Sequence, residues 1–162
     1  MKPGSFLLWP TFLVALSAFG FFGCAKSNSG FVSRLERSAL SAKGSGDSTV
    51  TISAVTDFAW DKLFIFAPYT PVAKIETELG YKWAEAEGTA IQSSDTFYLL
   101  VFTKNEKVVN FFKFPRTIGD FQNLEAGNVF PYGGDAFEVK PSTVESKRLI
   151  LTAKHKEQPS SR

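Results

Sequence analysis

The sequence predicts an α+β domain: a mostly antiparallel sheet of five or six strands with one short helix packed on it, preceded by an N-terminal signal segment and a linker. Three observations lead there. Residues 97–103 and 108–114 are two β-prone runs joined by the polar turn Lys104-Asn105-Glu106-Lys107. Residues 70–80 carry the start, the apolar face and the stop of a helix. Other short apolar runs between residues 49 and 153 are separated by turn residues, and many strands with one helix make a sheet covered on a face by that helix.

In chain order, Val50, Ile52 and Ala54 alternate with polar neighbours, the pattern of a half-buried strand. Leu63-Phe64-Ile65-Phe66, stopped by Ala67-Pro68, reads as a strand buried on both faces. Thr70 is placed to cap a helix with Pro71 in its first turn, where a missing N–H costs nothing. Val72, Ile75 and Leu79 share one face of that helix and Gly80 ends it. So short a helix is marginal alone, so it must pack on the sheet. Both strands of the 97–114 hairpin carry large apolar residues on both faces, so both faces are expected to be covered, and Pro115 closes the second strand. Residues 116–132 read as a looser stretch ending in the Gly133-Gly134 turn. Ala136–Val139 and Arg148–Thr152 read as the last strands. Asp61 is expected to hydrogen-bond a turn.

The chain has 162 residues, enough for one domain. Its first 23 residues hold one Lys and no acid, leaving 17 basic against 16 acidic residues. That balance argues against nucleic-acid binding, which needs a clustered basic face. Cys24 is the only cysteine, so no intramolecular disulfide forms and the core alone must hold the domain.

Met1-Lys2 supplies a short positive start, and Phe6 to Phe22 is apolar and uncharged. This is the grammar of a signal peptide over residues 1–23. Its end, Phe21-Phe22-Gly23-Cys24, resembles the lipobox of bacterial lipoprotein precursors, with Phe21 where Leu is usual. The resemblance implies cleavage before Cys24, a diacylglycerol thioether and an acyl chain such as palmitate on the new N-terminus. Several acyl chains anchor stably. Ala25, in place of an Asp, implies sorting to the periplasmic face of the outer membrane. An uncleaved anchor and a freely secreted protein are the alternatives.

Residues 24–48 read as the lipidated Cys and a flexible tether, with seven Ser and three Gly after Cys24. As coil, the tether would span about 25–30 Å. Within it Phe31, Leu35 and Ala39 have helical spacing, fitting a basic helix on lipid headgroups, a frayed linker helix, or one docked on the domain. The α+β domain is expected over residues 49–153, with 154–162 a disordered tail.

Catalytic constellations do not stand out. The only His, His155, lies in the tail, leaving no Ser–His pair in the domain. No metal site is expected, since ligands of the needed types are missing or, like Asp57, Asp61, Asp95, Asp120 and Asp135, scattered. No cofactor is expected either: Gly44-x-Gly46 and Gly133-Gly134 lack the Lys and helix of a phosphate loop. Glu76 and Glu78, and Glu85 and Glu87, lie two apart and read as solvated charge.

Aromatic residues at element ends remain. Trp60, Tyr69, Tyr81, Trp83 and Tyr132, with Arg116 as a charged companion, are the candidate partner-binding residues, because such side chains dominate interface hot spots. The other reading of each is that it closes the core. From Trp60-Asp61-Lys62 to Glu78-Leu79-Gly80 the chain is similar to small bacterial secreted and lipoprotein domains, a likeness that implies no particular activity. The expected function is a membrane-tethered extracytoplasmic binding module with an envelope protein as partner. A small envelope enzyme or an apolar-ligand carrier is the alternative.

Overall fold

The computed structural model describes residues 28–44, 48–124, 128–143, 145 and 148–154. Residues 1–23, read from the sequence as a signal segment, Cys24 and residues 155–162, read as a tail, lie outside them. The described residues form an α+β domain of eight strands and two helices. The helices are α1 (Asn28–Gly44) and α2 (Val72–Leu79). The strands are β1 (Thr49–Thr51), β2 (Lys62–Phe66), β3 (Phe97–Lys104), β4 (Lys107–Pro115), β5 (Gly119–Gln122), β6 (Val129–Pro131), β7 (Ala136–Pro141) and β8 (Leu149–Ala153). They build two four-stranded sheets, ordered β4-β3-β2-β6 and β1-β7-β8-β5, where a single sheet was expected. All pairings are antiparallel except β5 with β8.

The β4-β3-β2-β6 sheet is the central layer. Strand periodicity sends Leu63, Ile65, Tyr98, Leu100 and Phe102 to the face that meets the second sheet, and Phe64, Phe66, Phe97, Leu99 and Val101 to the face under α2. Central strands β2 and β3 therefore read as continuous apolar runs because both their faces are covered. Edge strand β4 departs from the expectation: Phe112 and Phe114 are buried, whereas Val109 and Phe111 are exposed.

The expected tether is corrected most. Residues 28–44 are one helix that buries Phe31, Val32, Leu35, Ala39 and Ala42. Helix α1 packs against β1, β7 and β4, so it closes the side of the sandwich where β1 and β4 are edge strands. Phe31 stacks on Phe112 at 4.3 Å between ring centroids and meets Phe102 edge-on at 5.6 Å. Burying Phe31 and Leu35 stabilises the fold by about 1.5–3 kcal/mol each. The docked reading of this helix is the one that holds, and the domain starts near residue 28 rather than 49.

Smaller differences have local causes. β1 ends at Thr51 because Ile52 turns into a 3₁₀ segment, where its N–H donates to the Asp135 carbonyl at 3.1 Å. Pro71, not Thr70, occupies the position before α2, and the Thr70 hydroxyl donates back to the Ala67 carbonyl. Gly80 ends α2 as expected, at φ +84° with its N–H on the Glu76 carbonyl. The looser stretch 116–132 holds two short strands, β5 and β6. Gly119 in β5 has no room for a side chain, since a Cβ there would lie 2.7 Å from the Leu149 carbonyl oxygen. Lys154, assigned to the tail, is tied to the sheet through its N–H on the Ala136 carbonyl.

The β3–β4 turn is a two-residue loop with Asn105 and Glu106 both at positive φ, 49° and 58°. The strand twist demands that handedness, and Asn tolerates it better than Glu. Asp61 accepts the Asn105 N–H at 2.8 Å, the turn contact expected of it. Glu106→Gly is expected to raise stability by about 0.5–1 kcal/mol, read as a higher thermal midpoint.

Candidate binding surface

An apolar concavity on the described surface lies where the chain leaves α2 and passes over β4. Gly80 in the left-handed conformation turns the chain out of the helix. Glu76 then holds the next turn, accepting the Trp83 N–H at 3.3 Å through one carboxylate oxygen and the Lys82 ammonium through the other. The Lys82 hydrogen bond keeps the Glu76 carboxyl below the usual carboxylate range. This loop lays the Trp83 indole edge-on against Phe111 at 5.1 Å.

On the β4 side, a bulge pairs Thr103 with Val108 and Phe102 with Asn110, leaving Val109 as the extra residue. Tyr81, Trp83, Val108, Val109 and Phe111 thus line an open groove of about 830 Å³, with Glu85, Glu106, Lys107 and Asn110 at its rim. Burial is the main cause that pushes the Tyr81 phenol above its usual range. The bare edge of β4 is protected. The Asn110 side chain accepts the Phe111 N–H at 3.1 Å, and Pro115 has no N–H to offer. Contact in the groove therefore falls to side chains, not to an added strand.

The six candidate residues do not form one patch. Trp60 is buried, with its indole N–H on the Thr56 hydroxyl at 3.0 Å and its ring against Phe102. Tyr132 is exposed and leans on Trp60 at 5.0 Å. Tyr69, also exposed, sits at φ +63° with its N–H towards the Ile91 and Ser94 carbonyls. Tyr81 and Trp83 share the groove, Trp83 as its buried floor. Arg116 serves neither group: its Nε donates to Asp120 at 2.7 Å, and Arg148 donates to the other oxygen of that carboxylate at 2.6 Å. That Asp120 hydrogen bond raises the Arg116 pKa further, and burial, with Asp120 close by, raises that of Tyr98. Phe111 and Val109 escaped the sequence reading, because the hairpin pattern marks them as core and only the edge position exposes them.

A second cleft of about 720 Å³ runs between the end of β2, α2 and residues 121–124, with Glu78 as the one carboxylate among the described residues that line it. Glu78 accepts a short hydrogen bond from the Asn128 amide and lies 3.8 Å from Lys74. Glu76 and Glu78 are thus engaged in separate structural contacts. Among the described residues no three His, Cys, Asp or Glu side chains converge, and no helix is long and apolar enough to cross a membrane. No protein-family model, curated protein or solved structure matches the chain.

Proposed function

We propose that this chain is a membrane-tethered extracytoplasmic binding module, held by lipid on Cys24 at the cell envelope, on the periplasmic face of the outer membrane. The observation that carries the reading is the uncharged run from Phe6 to Phe22 leading into Gly23 and the only cysteine. An exposed thiol would be a liability in an oxidising compartment, and a thioether removes it. The groove around Trp83 and Phe111 supports the binding half of the reading. It combines a buried indole floor, exposed apolar walls and a charged rim, the anatomy of a small protein interface, and the partner is taken to be an envelope protein. Solid packing of Leu99, Leu100, Val101 and Phe102 weighs against a carrier that would need this hairpin to line a cavity.

Two variants test the two halves. In cells fed labelled palmitate, Cys24→Ser is expected to lose the label and to leave the membrane fraction; a variant that stays membrane-bound removes the lipid from the account. In crosslinking from intact cells, Phe111→Asp is expected to weaken partner recovery by about 2 kcal/mol, roughly thirtyfold in affinity. Unaltered recovery would place the partner elsewhere on the domain.

A further inference from the structure

We propose that the domain is held directly against the lipid surface in one orientation, with the end that carries Tyr132 facing the headgroups. The inference rests on the anchored reading of the N-terminus and adds a direction to it. It follows from the length of chain between the anchor and the fold. Helix α1 begins at Asn28 and its first turn is fixed in the core by Phe31. Only four residue steps separate Cys24 from Asn28, a reach of about 14 Å at full extension. That is half the span of the tether expected from sequence, and less than the width of the domain itself, about 30 Å for its size. An anchor ending at Phe22 would add only two steps.

The place where α1 starts decides which end is held. Phe31 meets Phe102 in the last part of β3, and Phe58 packs on Phe102 at 5.1 Å. Arg34, one turn on, donates to the Val55 carbonyl at 2.9 Å and pairs with Asp57 at 3.5 Å. These contacts lie at the end of the central sheet where β2 and β4 begin and β3 and β6 finish. Tyr132 follows β6 at that same end, its N–H on the Asp61 carbonyl at 2.9 Å. Ring contacts of 5.6, 5.2 and 5.0 Å link Phe31 to Phe102, Phe102 to Trp60 and Trp60 to Tyr132.

The chemistry of that end suits a headgroup layer. Tyr132 is 61% exposed, an amphipathic ring of the type that settles at membrane–water interfaces. The strand ends and turns at that end carry Lys62, Lys104 and Lys107, with Arg34 on α1 paired to Asp57, against Asp57, Asp61 and Glu106. The small positive excess is compatible with anionic lipid but too weak to bind alone, so the short leash does the holding. Tyr69 lies exposed past the opposite end of β2, so the proposed orientation puts it farther from the headgroups than Tyr132.

The test compares those two tyrosines in the full chain. Tyr132→Cys and Tyr69→Cys variants, each labelled with a fluorophore, are reconstituted into phosphatidylethanolamine–phosphatidylglycerol vesicles containing a nitroxide-headgroup lipid. The account expects both to float with the vesicles and the label at position 132 to be quenched severalfold more. Inserting about twenty Gly/Ser residues after Lys26, about 25 Å of coil, is expected to erase the difference. Floating protein with equal or reversed quenching overturns the orientation and leaves the anchor standing. A difference that survives the insertion overturns the leash as its cause. Protein that does not float removes the anchor, and the orientation with it.

Discussion

Replacing Phe31 by Ala is expected to destabilise the domain by about 3–5 kcal/mol, the cost of deleting a large buried aromatic. The ring is 2% exposed, stacked on Phe112 and edge-on to Phe102, so its removal opens a cavity between α1 and both strands of the hairpin. Aromatic pairs of this geometry add about 0.5–1.5 kcal/mol beyond the area they bury. A loss of that size is a large share of the stability of a domain this small. Urea unfolding of the wild type and the variant measures it through the shift in midpoint. A shift worth under about 1 kcal/mol would mean that residues 28–44 are a tether after all.

The second large effect concerns Asp135, a carboxylate with no exposed surface. It joins two turns that are far apart in the chain. One oxygen accepts the Gly133 N–H at 2.9 Å and the Ser53 hydroxyl at 3.1 Å, and the other accepts a short hydrogen bond from the Ser53 N–H. Its own carbonyl takes the Ile52 N–H. Asp135→Ala strands two backbone donors, each at about 1–3 kcal/mol when buried without a partner. The net loss is expected at about 2–4 kcal/mol, since the variant also spares the burial of a charge. Hydrogen exchange at Ser53 and Gly133 reads it locally: both amides are expected to lose protection before the β2–β3 pair does. Unaltered exchange at these two sites would show that the carboxylate is not what holds the turns together.

Legibility followed how local each signal was. Helix α2 was readable because its apolar face and its glycine stop lie within ten residues, and the β3–β4 hairpin because its turn separates two strong runs. Short β5 and β6 were not, since strands of four and three residues carry too little pattern and owe their existence to pairing with β8 and β2. Helix α1 shows helical spacing in the sequence, but spacing alone does not choose between a helix on lipid, a frayed linker helix and one docked on the domain. Two of its buried residues are alanines, whose burial depends on neighbours distant in sequence, and its flanks are rich in Ser and Gly. At the candidate site the sequence pointed to Tyr81 and Trp83 through their place after a helix stop. Their partners Val109 and Phe111 needed the knowledge that β4 is an edge. Arg116 and Asp120 stand four apart, but the second cation on that carboxylate, Arg148, comes from the far end of the chain.

The proposed function depends on what is bonded to Cys24, and the mass of the N-terminal peptide of the native protein measures it. The account predicts a peptide that begins at Cys24 and carries the mass of a diacylglycerol thioether with an added acyl chain. A peptide retaining residues before Cys24, or a free thiol at that position, would contradict it.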